Sequence, residues 1–145
     1  MTLVKAMLTT TDAGAVAINF QFNPESLSFS RTVSWKVEDG AYTAAGFPKV
    51  SYSNRGAETL KLSNLWFDTY EYPTKTSVLD LISPIIKSTE IAGSLKRPPV
   101  YIFAWGEQYL KCVVTSISYD LTMFLADGTP VRAKVSIDLQ EVDDI

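Results

Sequence analysis

Histidine is absent from this chain, and that gap excludes more chemistry than any residue present suggests. Without it there is no Ser-His-Asp or Cys-His nucleophile, no imidazole base, and none of the imidazole ligands that most transition-metal sites use. Cysteine is almost missing too. Cys112 stands alone, so no intrachain disulfide can form, which fits synthesis in a reducing compartment. Set among Leu110, Val113 and Val114, it reads as a small core hydrophobe rather than a reactive thiol. Clustered positive charge is lacking. The 13 Lys and Arg are scattered among 16 Asp and Glu, the net charge is -3, and no basic patch of the kind nucleic acid needs is present. No apolar run approaches the ~18 residues that span a bilayer. The opening residues Met1 to Leu8 lack a signal-peptide pattern, so the expectation is cytoplasmic folding and assembly without membrane insertion. Neither GxGxxG nor the P-loop pattern occurs, and no cofactor is expected.

The carboxylates do not repair these absences. Asp68 with Glu71, Glu38 with Asp39 and Asp143 with Asp144 are the available pairs, and sequence neighbours on a strand point to opposite faces. Hydrolysis or metal binding needs two such groups converging in a cleft, so these read as surface acids. The acidic end, Glu141, Asp143 and Asp144, reads as a solvated tail, with an acidic docking segment as the alternative. Trp35, Trp66 and Trp105 are candidates for a sugar site, but in a β-rich chain such residues anchor cores and interfaces. No catalytic constellation is found.

What is there is period-two alternation. The 145 residues, 46% apolar and 20% charged, make one folded domain, 1–145. Ile18, Phe20 and Phe22 alternate with polar neighbours. Leu27, Phe29, Val33, Trp35 and Val37 do the same, broken only by Arg31. Val131, Ala133, Val135, Ile137 and Leu139 alternate with Arg132, Lys134, Ser136, Asp138 and Gln140. Each is a strand with one wet and one dry face, as in antiparallel sheets. Leu60 and Leu62 change parity to Leu65 and Phe67, which predicts a bulge at Ser63-Asn64 with Trp66 turned away. Val100 to Trp105 is apolar on both faces and must be covered on both. Lys111 to Leu125 reads as further strand, with an Asp127-Gly128 hairpin into the last strand. One amphipathic helix is predicted over about 76–92, starting at Thr76 or Ser77, with Asp80 in its first turn. A kink is predicted at Pro84 and a stop at Gly93. Residues 38–58 read as a long irregular loop carrying Tyr42, Phe47, Val50 and Tyr52. These aromatic and apolar residues either fold back on their own core or reach another subunit.

Taken in order, several motifs resemble the tube-type domain of contractile injection systems, the phage-tail-like particles of bacteria. They are Phe22-Asn23-Pro24-Glu25-Ser26-Leu27 before the strand with Trp35, Leu60-Lys61-Leu62 to Trp66-Phe67-Asp68-Thr69-Tyr70, and Pro98-Pro99-Val100 to Trp105-Gly106. Tyr119, Thr122, Phe124, Asp127-Gly128-Thr129-Pro130-Val131-Arg132-Ala133 and Glu141 complete the set. The likeness covers nearly the whole chain and points to the branch that initiates the inner tube above the spike. It implies a mainly β fold, an antiparallel sandwich or barrel of tail-tube type with one flanking helix. It also implies a non-catalytic hexameric ring whose partners are its own copies, tube rings, the spike or hub protein and baseplate components. The particle would be a phage virion or an injection device. An inner tube subunit proper is the near alternative, and a carbohydrate-binding sandwich the distant one. Members often carry a LysM module after this domain; none is expected within 145 residues, and no peptidoglycan role is carried over. Under this resemblance, Tyr42, Phe47, Val50, Tyr52, Trp35, Tyr101 and Phe103 are the expected subunit interface. Arg132, Lys134, Ser136, Asp138 and Gln140 line the lumen or, on the other assignment of faces, the outer surface.

Overall fold

The computed structural model describes residues 3–10, 12, 14–91 and 96–143. In chain order the strands are β1 Met7–Thr9, β2 Ile18–Asn19, β3 Ser28–Ser30, β4 Val33–Tyr42, β5 Pro48–Arg55 and β6 Thr59–Asp68. After helix α1, Val78–Lys87, come β7 Tyr101–Trp105, β8 Glu107–Phe124 and β9 Pro130–Glu141. Among the described residues seven strands form one antiparallel sheet in the order β2-β1-β7-β8-β9-β6-β3, while β4 and β5 pair only with each other. The Phe29 ring of β3 lies 6.2 Å from Tyr109 at the start of β8, and Tyr109 lies 5.9 Å from Phe103. The sheet therefore curls until its last strand meets its middle, an antiparallel β-sandwich flanked by α1.

Alternation decides what goes inside. Leu60, Leu62, Leu65 and Phe67 of β6 face Val135, Ile137 and Leu139 of β9, with Leu110 and Cys112 of β8 beyond. α1 lays Val78, Ile82 and Ile85 onto this layer. Register slips between Leu62 and Leu65, where Asn64 takes φ 56°, so the predicted bulge is present and Trp66 faces outward. The Asp127-Gly128 turn closes as predicted, with Leu125 N–H donating to Thr129 O and Gly128 in the positive-φ region.

Two elements differ from the sequence reading. The helix ends at Lys87, not near residue 92. Ser88 and Thr89 return their hydroxyls to the carbonyls of Ile85 and Ile86, and i→i−3 bonds tighten the last turn. It begins at the Ser77 cap, whose hydroxyl accepts from Leu79 N–H, and runs as one element through Pro84. Gly93 lies outside the described residues. The second difference is larger: the expected loop 38–58 is mostly the β4–β5 hairpin. Its glycines are a bulge residue (Gly40, φ 72°) and a turn residue (Gly46, φ 87°) rather than signs of irregularity.

Candidate functional site

The hairpin is built with one apolar face. Trp35 pairs with Tyr52 and Val37 with Val50, so these four side chains, with Val33, share a side, and Lys36 and Ser51 share the other. Trp35 and Tyr52 meet edge to face, 5.6 Å between ring centroids. At the tip, Thr43 and Phe47 close the turn through Thr43 N–H to Phe47 O, and both Phe47 and Tyr42 stand out into solvent. At the base, Gly56 N–H donates to Thr32 O at 2.7 Å, and Arg31 pairs with Glu58 at 2.8 Å. The approach at Gly56 is so close that a Cβ there would stand 2.6 Å from Thr32 O, so only glycine fits. No other strand among the described residues covers this ribbon. Trp35 is 58% exposed, Tyr52 59% and Phe47 68%.

A second unfinished feature is the edge of β8. Strand β7 pairs with it only up to Cys112, and β9 pairs with it along its other side to Phe124. Along residues 113–124 no strand among the described residues takes up the outward peptide groups. The stretch holds no proline, no glycine and one charge, Asp120, so its guards against pairing are that charge and the register shifts near Thr115 and Thr122. Its Tyr119 and Phe124 are exposed apolar residues.

Of the expected interface residues, Trp35, Tyr42, Phe47, Val50 and Tyr52 lie together on the hairpin and are exposed. Tyr101 and Phe103 do not belong with them. They are 2% and 0% exposed, packed into the subunit's own core, because the inward parity of β7 falls on 101 and 103. Burial pushes the Tyr101 hydroxyl up to about 12 and the Cys112 thiol likewise to about 12, so both stay neutral. The expected strand from Leu27 to Val37 is broken between β3 and β4, and its apolar members from Val33 onward leave the core.

Arg132, Lys134, Ser136, Asp138 and Gln140 lie on the face of β9 turned away from the core. Register places Asp138 beside Lys61, Lys134 beside Asp120, and Arg132 beside Asp68, where guanidinium and carboxylate meet at 3.0 Å. Ser116 Oγ donates to Asp138 at 2.9 Å, and the Lys134 ammonium stands 6.0 Å from the Trp66 ring. The face is polar, and its opposite charges stand at neighbouring register positions, with Arg132 and Asp68 in direct contact.

Asp68 is committed to Arg132 and to the N–H of Tyr70, so it does not converge with Glu71. Trp35, Trp66 and Trp105 sit on β4, β6 and β7, and no ring contact among the described residues joins any two of them. Among the described residues no group of His, Cys, Asp or Glu is placed to hold a metal ion, and no helix is long and apolar enough to cross a membrane.

The family model for the contractile injection system tube protein matches residues 2–144. The chain belongs to that family. A comparison with curated proteins gave no match. Family membership makes the chain a structural component of a contractile injection particle, one that associates with its own copies and with other parts of the system.

Two side-chain clips were not foreseen from the sequence. Gln21 reaches both backbone groups of Asp68, and Asn23 accepts from Ala6 N–H at 2.8 Å while donating to Val4 O at 3.0 Å. The one available signal was the pair of amides at alternate positions beside Pro24.

Proposed function

We propose that this tube-family chain is a non-catalytic ring-forming subunit that links the spike or hub to the inner tube, with six copies closing each ring. The observation that carries the reading is the combination of a finished core with two unfinished features, the bare apolar hairpin and the open β8 edge. A two-stranded ribbon is marginal in water by itself, and Val33, Trp35, Val37, Val50 and Tyr52 supply apolar area that only a second molecule can bury. Hairpin and edge are different surfaces of one subunit. Contacts between unlike surfaces are head-to-tail, and they generate a ring where the rotation closes.

The charge-balanced face of β9 supports its assignment to the lumen. Lys61, Arg132 and Lys134 are matched by Asp68, Asp120 and Asp138 across neighbouring strands. A hydrated wall without net charge neither holds nor repels what passes along it.

The test is absolute mass by light scattering across a concentration series, with electron micrographs of the same fractions. Six-fold rings are expected, and single rings that stop without stacking mark the initiator rather than a tube subunit proper. A monomer at every concentration, unchanged when spike and tube proteins are added, overturns the reading.

A further inference from the structure

The two sides of the four-strand layer β8-β9-β6-β3 are finished very differently. On the β6 side, β3 covers residues 59–61, and the bulge at Ser63-Asn64 breaks the ladder. At the far end Thr69 N–H turns to Val131 O, so by antiparallel alternation the N–H and C=O of Asp68 turn outward. Both are taken by one side chain. Asp68 N–H donates to Gln21 Oε1 at 2.7 Å, and Gln21 Nε2 donates to Asp68 O at 2.8 Å, with a longer contact to the Tyr72 hydroxyl at 3.4 Å. The carboxamide has the same donor–acceptor pair as a peptide group, so it occupies the place of a neighbouring strand. Trp66 is left as the only regular position between bulge and clip whose peptide groups still face the edge. On the other side, residues 113–124 of β8 are interrupted by register shifts near Thr115 and Thr122, but among the described residues no strand and no side-chain amide occupies their outward peptide groups.

We infer that Gln21 is a specificity-determining residue for self-association, closing the β6 edge so that copies join through β8 and not through β6. This rests on the reading above, in which copies meet at open strands. An edge left with consecutive free peptides accepts any strand, including the same edge of another copy, and such isologous pairing yields a dead-end dimer in place of a ring.

The experiment places Trp66→Cys as a reporter at the centre of the β6 edge, in the full chain with Cys112 retained in its buried site. The reporter is combined with wild-type Gln21, Gln21→Ala or Gln21→Met, and treated with a short bis-maleimide. With Gln21 present, cross-linked dimer stays at background. With alanine or methionine it rises about tenfold, the equilibrium weight of roughly one to two net hydrogen bonds. Methionine keeps the length and apolar stem of the side chain, so it carries the test if the alanine variant does not fold. Thermal melting of each variant separates a lost clip from a lost fold. Equal cross-linking in a folded methionine variant and in wild type overturns the inference, as does strong cross-linking with Gln21 intact. Failure of the chain to form rings leaves this readout unchanged, because it reports β6 pairing and not ring closure.

Discussion

Strands β9 and β4 are written in the same alternating pattern. In β9, Val131, Ala133, Val135, Ile137 and Leu139 are fully buried beneath α1 and against β6 and β8. In β4, Val33, Trp35 and Val37 stand in solvent on a ribbon that no other described strand pairs with. Alternation states that two faces differ; it does not say which molecule supplies the cover. Where the cover is intramolecular, an apolar face stabilises the fold. Where it is absent, the same face becomes binding area, at about 25 cal/mol for each Å² removed from water.

Substitutions on the two faces should separate fold from assembly. The largest effect on the fold is expected for Phe103→Ala, which empties a wholly buried ring site. A loss of about 3–5 kcal/mol in denaturant unfolding is expected. A loss below about 1 kcal/mol would return Phe103 to the interface from which its burial removes it. The converse is Trp35→Ser with Tyr52→Ser. Both side chains are exposed, so unfolding of the isolated subunit should move by no more than about 0.5 kcal/mol. Self-association, read by light scattering, should be lost. Assembly that survives the double substitution would take the hairpin out of the interface.

A smaller effect is expected where hairpin meets sandwich. A methyl group at Gly56 would overlap a backbone oxygen, Thr32 O, so Gly56→Ala must shift the chain. A cost of about 1–3 kcal/mol is expected, with the Gly56 N–H to Thr32 O bond broken. Hydrogen exchange should show faster exchange at Gly56 and across β4–β5, with protection in β8 and β9 unchanged. Equal loosening throughout would mean that ribbon and sandwich unfold as one unit.

Most of the core was legible because one covered face leaves a strict period of two. β9, the bulge at Ser63-Asn64, the Asp127-Gly128 turn and the Ser77 helix start all follow from local rules. From residue 38 onward the hairpin was not legible as strand. Gly40, Gly46 and Gly56 look like loop punctuation, and only the register shows that they serve a bulge, a turn and a close approach. Tyr101 and Phe103 were misplaced for a related reason. On a strand apolar on both faces, parity alone cannot name the inner one, and partner strands on both sides decide it. The open β8 edge was invisible because pairing extent is a property of the neighbour, β7, which stops short. Gln21 and Asn23 escaped because a strand-mimicking amide has no sequence signature beyond its residue type.

The smallest expected effect concerns the clasp that ties the sandwich's first loop to the chain entering β7. Asp12 accepts from Arg97 at 3.1 Å and from Val100 N–H at 2.8 Å, and Thr10 Oγ1 donates to Val100 O beside it. The Arg97 hydrogen bond, then the Val100 N–H, hold the Asp12 carboxyl below its ordinary value. A carboxyl with a depressed folded-state pKa stabilises the fold above its unfolded pKa of about 3.9 and loses that contribution as pH falls through the lower folded value. Asp12→Asn should therefore cost stability near neutrality and nothing at the acid end, so the two stability curves converge as pH falls through the lowered folded-state value. The pair lies near the surface, with the Arg97 side chain 31% exposed, and solvent screening holds the difference at neutral pH to about 1 kcal/mol or less. Asp127, held down by the N–H of Thr129, titrates in the same direction in both proteins and so cancels from the comparison. Parallel curves, with the gap unchanged from neutral to acid pH, would assign the effect to lost shape and not to charge. Hairpin residues should contribute nothing to the gap, since the clasp belongs to the covered half of the molecule and the ribbon to the uncovered one.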